Sequence, residues 1–299
     1  MIAIDLGSNT IRFIEYDGIQ WGKSYEKIVR AAELLQATNK ICENAVLRIL
    51  SAIEEAKSHI DFVGQKVVAV TTAALRTASN GKEVIARIQQ DSGIQFTIIN
   101  GQQEAALTLL AVQNRLYQLH IHNNHFVLAD IGGGSTELIY YEDKETKLIS
   151  LPIGIVTMSE KAMDTIMLRS LLDDFEEQVS LFYGSLEGKE KPITLVLTSG
   201  TPTTIAAYRM GMDYSNYNAE KINGSILTLE DCIQTYTELM EMEESVRSQY
   251  VGVGRELLIA TGILMVESLF KSTRLEEAII VDDGLREGVA LDYFNPISL

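Results

Sequence analysis

Two stretches of the chain repeat one pattern of hydrophobic and polar positions. Residues 2–17 read IAIDLGSNTIRFIEYD and residues 128–143 read LADIGGGSTELIYYED. Each is an apolar strand that reaches an Asp, a turn of Gly with Ser or Thr, and a second apolar strand, which predicts a β-hairpin. Copies this far apart predict a duplicated domain instead of a short-period solenoid, and so two similar lobes with a central cleft.

Between the copies, strand and helix patterns alternate. Residues 40–59 (ICENAVLRILSAIEEAKSHI) place apolar side chains at helical spacing, and 66–71 (KVVAVT) form a β-branched run suited to a buried strand. A helix over 80–91, a strand over 94–99 and a helix over 102–117 complete the first α/β lobe. The polar run HIHNNH at 120–125 reads as a linker, which divides the chain into 1–121 and 122–299. The terminal helix could pack back on the first lobe. In the second lobe the hairpin is followed by apolar and turn residues, LISLPIG at 148–154. Helices are expected over 168–184, 201–209, 229–242 and 254–270, with strands at 193–200 and 278–284 and a helix at the end. The fold class is α/β.

Composition narrows the function. A chain of 299 residues, 46% hydrophobic and with 4 prolines, is neither disordered nor collagen-like. Its start has no basic leader, and it holds no apolar run of about 18 residues, so a cytoplasmic protein without a membrane partner is expected. Cys42 and Cys232 form neither a CxxC pair nor a disulfide framework and fit buried small-hydrophobe roles. A net charge of -16 argues against nucleic acid as a partner. A phosphate site on such a chain has to rest on backbone N–H groups, a few placed arginines and a divalent cation.

The sequence offers candidate residues for each of those parts. In DIGGGSTE at 130–137, Gly132, Gly133 and Gly134 let the backbone approach an anion, Ser135 and Thr136 add hydroxyl donors, and Asp130 at the strand end is available to a divalent cation through water. A plain glycine-rich hairpin is the competing reading. The first loop offers Ser8 and Asn9 after Asp5, and two such loops facing each other would grip adjacent phosphates. Arg12, Arg76 and Arg255 carry guanidinium forks suited to phosphate oxygens, against the ordinary role of surface arginines. Ser199, Gly200 and Thr201 stand at a strand-to-helix junction, where unpaired N–H groups form a further cradle. His120, His122 and His125 match no zinc spacing and read as solvated linker residues. Asp282, placed in the last strand, is a further candidate to reach the cleft, and LREG at 285–288 reads as a fold element.

The motifs IDLGSNTIR at 4–12, VTTAALRTASN at 70–80, INGQQEAAL at 99–107, DIGGGSTELI at 130–139, SLPIGIV at 150–156, TSGTPTTIAA at 198–207 and GLREGVA at 284–290 occur in one order along nearly the whole chain. In that order they resemble the exopolyphosphatase / guanosine pentaphosphate phosphohydrolase family of the actin-like ATPase superfamily. The resemblance implies two actin-like (ribonuclease H-like) lobes and a hydrolase that removes terminal phosphates. Inorganic polyphosphate is the first substrate implied; guanosine pentaphosphate is the alternative, and a non-catalytic sensor of polyphosphate or of guanosine pentaphosphate and tetraphosphate is the rival of another class. The resemblance makes Glu104 the general base for the attacking water. On its residues alone, Glu104 also reads as an acidic side chain favoured at a helix start. Gln103 stands where the family often has a second acid. Glu137 matches a family acidic residue and would join Asp130 in holding Mg2+ through waters, with Asp5 in the symmetric place; on spacing alone it reads equally as a solvated strand residue. Arg12 and Arg255 match family positions linked to phosphate or guanosine nucleotide binding. A homodimer is one assembly open to such a chain.

Overall fold

Both repeated hairpins form, and each gains a third strand that the sequence pattern did not announce. The computed structural model describes residues 1–122, 124–186 and 194–297, so residue 123 of the expected linker and residue 193 of an expected strand lie outside the described residues. The chain divides into unit 1, Met1–Ala111 with Gly284–Leu299, and unit 2, Val112–Asp283.

Unit 1 runs β1 (Ile2–Leu6), β2 (Thr10–Tyr16), β3 (Trp21–Ile28), α1 (Leu35–Thr38), α2 (Glu43–His59), β4 (Val67–Thr71), α3 (Ala73–Thr77), α4 (Gly81–Ser92), β5 (Phe96–Ile98) and the start of α5 (Gly101–Gln118). Its sheet has the order β3-β2-β1-β4-β5, with the hairpin strands antiparallel and β1, β4 and β5 parallel. The helical stripe of α2 is buried at Ala45, Val46, Ile49, Ala52, Ile53 and Ala56, and α2 packs against β2 and β3. On the other face Ala3, Ile14 and Val70 meet Leu107 of α5 and Leu285, Val289 and Ala290 of the last helix.

Unit 2 runs β6 (His125–Ile131), β7 (Thr136–Glu142), β8 (Glu145–Leu151), α6 (Ile155–Lys161), α7 (Thr165–Gly184), β9 (Thr194–Thr198), α8 (Gly200–Arg209), α9 (Ala219–Ile222), β10 (Ile226–Thr228), α10 (Leu229–Glu241), α11 (Glu244–Val251), α12 (Leu258–Thr273) and β11 (Glu277–Ile280). The chain ends in α13 (Leu285–Phe294), back in unit 1. The second sheet has the order β10-β11-β9-β6-β7-β8. Without β10 this is the plan of the first sheet: a three-strand meander followed by two parallel strands on its inner side. Phe175, Val179, Ile205, Ile263 and Phe270 close the core over Val127, Ala129 and Leu195.

Four expectations are corrected. The chain passes from unit 1 to unit 2 inside α5, upstream of the linker, because a continuous helix carries it across. His125 is not a solvated linker residue: it opens β6, is buried, and meets the Tyr140 ring edge-on at 5.6 Å. Arg255 lies in the turn before α12 and not in the helix. Asp282 follows β11, since the strand stops at Ile280.

Candidate active site

Parallel strands present their C-terminal ends on one edge of a sheet, where an open α/β sheet binds its ligands. In unit 1 the strands β1, β4 and β5 deliver three segments to that edge: the loop with Ser8 and Asn9, α3 with Arg76, and the start of α5 with Glu104. Thr71 Oγ1 donates to Leu6 O at 2.8 Å and Ile99 N donates to Thr71 O at 3.0 Å, so the three strand ends are tied to one another. Arg76 Nη1 donates to Ile99 O at 2.8 Å and stands 3.5 Å from Glu104 Oε2.

Glu104 is 8% exposed. Helix capping does not account for it. Asn100 N donates to Gln103 Oε1 at 3.0 Å and Gln103 N donates to Asn100 Oδ1 at 2.9 Å, which is a complete capping box. Gln103 therefore has a structural duty at the place where an acid was looked for. Burying a carboxylate is costly unless it is paired, and the Arg76 guanidinium offsets that cost.

Asp5, Arg12 and Glu26 are cross-strand partners on β1, β2 and β3 and share one face of the sheet. Arg12 Nε lies 3.4 Å from Glu26 Oε2, so this arginine faces a carboxylate on its own sheet.

In unit 2 the corresponding row is Asp130, Glu137 and Ser150, on β6, β7 and β8. Glu137 is 1% exposed, which rules out the solvated strand reading, and Ser150 Oγ donates to Glu137 Oε1 at 2.7 Å. The glycine loop is docked through its carbonyls. Gly132 O accepts from Ile155 N at 3.0 Å and Gly133 O accepts from Val156 N at 2.8 Å, while Thr136 Oγ1 donates to Ile153 O at 2.7 Å. The N–H groups of Gly133, Gly134 and Ser135 donate to no backbone carbonyl of the described residues. That leaves three successive donors in one short turn, the makings of an anion nest.

Gly154 sets how closely the loop and α6 approach. A Cβ there would lie 2.6 Å from the Gly133 carbonyl and from Gly134 N. No site role was read for this residue in the sequence, although the motif SLPIGIV contains it.

Ser199 adopts φ 84° and ψ 176°, a region that costs a side-chain-bearing residue about 1–3 kcal/mol. Its Oγ donates to Ile131 O at 2.9 Å, which fixes the β9–α8 junction beside the end of β6. The Arg255 guanidinium lies against Gly200, since a Cβ on that glycine would be 2.6 Å from Arg255 Nη2. The structure thus joins Ser199, Gly200 and Arg255 in one place, with Thr201 buried beneath.

Among the described residues no three of His, Cys, Asp and Glu are gathered to hold a metal ion. Asp130 and Glu137, as cross-strand partners, offer two carboxylates. Mg2+ keeps several waters and is held by one or two carboxylates together with substrate phosphates, so this donor set suits it and does not suit a metal that needs an all-protein cage.

A family model described as the Ppx/GppA phosphatase family matches residues 18–295. The chain belongs to that family. Among Ppx/GppA relatives, Exopolyphosphatase 1 of Mycobacterium leprae is 27% identical over 306 residues, covering 97% of this chain and 88% of that protein. The guanosine-5'-triphosphate,3'-diphosphate pyrophosphatase of Vibrio cholerae is 27% identical over 315 residues, covering 97% of this chain and 58% of its own length. The solved Ppx/GppA enzyme of Aquifex aeolicus superposes with a TM-score of 0.75 at 28% identity, over 97% of this chain and 98% of that one. The fold is the actin-like one, and Ppx/GppA membership makes the chain a phosphoanhydride hydrolase. No helix of the described residues is long and apolar enough to cross a membrane.

Proposed function

We propose that the chain is an exopolyphosphatase, which removes the terminal phosphate of inorganic polyphosphate with Glu104 as general base and Mg2+ held at Asp130 and Glu137. The observation that carries this reading is Glu104: a carboxylate 8% exposed, relieved of capping by Asn100 and Gln103, and paired with Arg76 at 3.5 Å on the ligand-binding edge of its sheet. Keeping a carboxylate buried is costly even beside Arg76, and general-base catalysis gives this one a purpose.

In the reaction Glu104 takes a proton from water as the water oxygen bonds to the terminal phosphorus. The bridging P–O bond breaks, its electron pair leaves with the chain shortened by one phosphate, and inorganic phosphate is released. Phosphoryl transfer needs positioning and charge neutralisation more than covalent catalysis. The N–H groups of Gly133, Gly134 and Ser135, and the loop of Ser8 and Asn9, hold phosphate oxygens. Arg12, Arg76 and Arg255, with Asp5 orienting Arg12, supply the local positive charge that a chain of net charge -16 otherwise lacks. When bound, Mg2+ would neutralise the phosphate oxygens further.

Guanosine pentaphosphate is the second reading, because the Vibrio cholerae relative matches at the same 27% identity as the exopolyphosphatase. Its 5'-terminal phosphate would be removed by the same steps.

The test is phosphate release from polyphosphate and from guanosine pentaphosphate, with Mg2+ and with chelator, for the wild type and Glu104→Gln. Release that needs the metal and falls about 10³-fold in the variant is expected, within the range of a lost general base. Wild-type rates in Glu104→Gln would remove the base. Binding without release from either substrate would turn the reading to a sensor.

A further inference from the structure

In unit 1 the loop of Ser8 and Asn9 is held from outside, by an irregular segment that continues β3. Asn9 O accepts from Val29 N at 2.8 Å and from Arg30 N at 2.9 Å, and Ser8 O accepts from Ala32 N at 2.8 Å. The segment thus commits three N–H groups to the loop. Its own shape is costly: Arg30 has φ 47° and Leu34 φ 59°, the left-handed region that residues with a side chain seldom adopt. Something has to keep it there.

One side chain holds the carbonyl edge of that segment. Arg48, in the second turn of α2, donates from Nε to Val29 O at 2.8 Å, reaches Arg30 O from Nη2 at 3.4 Å, and donates from the same Nη2 to Glu33 Oε2 at 2.8 Å. Val29 is 0% exposed, so its carbonyl needs such a donor. The hydrogen bond from Arg48 holds the Glu33 carboxyl below its ordinary value, which keeps it ionised and the guanidinium turned toward the segment. Ala45 and Ile49, on either side of Arg48 in α2, are fully buried and fix the helix that carries it. As a stabiliser the pair counts for little, because both side chains are 33% exposed. Its placement against the loop's support accounts for it better.

We propose that Arg48 is a positioning residue for substrate binding: with Glu33 it holds Val29 and Arg30, and through their N–H groups it fixes where Ser8 and Asn9 meet phosphate oxygens. The inference rests on the reading of that loop as a phosphate grip, and every residue in it belongs to unit 1. Arg48 acts through the segment and not on the substrate. A grip that is equally strong before and during phosphoryl transfer shows in KM and not in kcat.

The experiment measures kcat and KM for phosphate release from inorganic polyphosphate with Mg2+ in the wild type, Arg48→Met, Arg48→Lys, Ser8→Ala combined with Asn9→Ala, and Lys57→Met. The Kd for inorganic polyphosphate is measured in Glu104→Gln with and without Arg48→Met. Lys57 is the control: it stands in the last turn of the same helix and donates from Nζ to Ser92 O at 3.0 Å, away from the segment. Arg48→Met should raise KM about tenfold with kcat held within about threefold, and raise Kd by the same factor. Arg48→Lys, which keeps the charge without the fork, should recover part of that rise, and Lys57→Met should leave KM within about twofold. An unmoved KM in Arg48→Met, where the loop double variant raises it, overturns the role of Arg48 and leaves the grip standing. An unmoved KM in the loop double variant overturns both. A fall in kcat with KM held, or equal rises in Arg48→Met and Lys57→Met, also overturns the role of Arg48. No phosphate release from the wild type, with Kd raised by Arg48→Met, would overturn the exopolyphosphatase reading and keep the role; an unmoved Kd there would overturn both. Thermal melts accompany each variant, and Arg48→Lys carries the test where Arg48→Met melts below the assay temperature.

Discussion

Across the meander of unit 1 the row beneath the loop is Asp5, Arg12 and Glu26; across the meander of unit 2 it is Asp130, Glu137 and Ser150. The loops above these rows are docked alike. In unit 1, Asn9 O accepts from Val29 N at 2.8 Å and Ser8 O accepts from Ala32 N at 2.8 Å; in unit 2, Gly132 O and Gly133 O accept from Ile155 N and Val156 N at 3.0 and 2.8 Å. Each loop spends its carbonyls on the segment that follows the third strand. What differs is the middle residue of the row, Arg12 against Glu137, and the third, Glu26 against Ser150. A guanidinium between two carboxylates leaves the first row at a formal charge of -1 with a fork suited to phosphate oxygens, whereas two carboxylates beside a hydroxyl leave the second row at -2, a donor set suited to a cation. The two copies share one frame, and if Arg12 binds phosphate and the second row binds Mg2+, as proposed, these two positions divide the anion and metal tasks between them.

The largest effect is expected where the two dockings differ in packing. Unit 1 docks its loop with Val29, Arg30 and Ala32, but unit 2 needs Gly154, where a Cβ would sit 2.6 Å from the Gly133 carbonyl. Gly154→Ala should push the glycine loop away from α6, lowering kcat by about a hundredfold. It should also destabilise the protein by about 1–3 kcal/mol, as overpacking does. Phosphate release and thermal melts check both, and an unchanged kcat would mean that turnover does not depend on where this loop is held.

Much of this frame was legible in the sequence because the hairpins carry their signal locally, as apolar runs broken by Gly and Ser. The third strands were not. WGKSYEKI of β3 and ETKLISL of β8 lie at sheet edges, face solvent over much of their length, and so lack the alternation that marks a half-buried strand. His125 was misread for a related reason: its polar neighbours look like a linker, and only the run FVLAD that follows it points to a strand. Gln103 could have been found as a cap, because Asn100 three residues earlier completes the box. The hold of Arg48 on Val29 and Arg30 has no local signal at all, since the helix and the segment meet only through folding.

A smaller effect separates the two aspartates. If the unit 2 row holds the cation, Asp130→Asn should raise the Mg2+ concentration needed for half-maximal phosphate release by about tenfold, the loss of one charged oxygen ligand among waters and phosphates. Asp5→Asn, beside Arg12, should alter the Mg2+ titration far less and act on KM for the anion. Equal shifts in both variants would end the division of tasks drawn from the two rows, and an unchanged titration in Asp130→Asn would remove its metal role.

The smallest effect concerns Glu26, which has no acidic counterpart in unit 2, where Ser150 takes its place. The ion pair of Arg12 with Glu26 is partly exposed, at 33% and 42% of the side chains, and such pairs contribute about 0–1 kcal/mol. Glu26→Gln should therefore release Arg12 toward an anion and take one negative charge from its surroundings. KM for polyphosphate would then fall by up to about fivefold with kcat unchanged. The gain should shrink as salt is added, since exposed charges are screened beyond about 10 Å at 0.1 M. A KM that rises in Glu26→Gln would reverse the assignment: Glu26 would then be holding Arg12 in the orientation the phosphate needs, and the first row would act as a preset clamp instead of a competition between carboxylate and substrate.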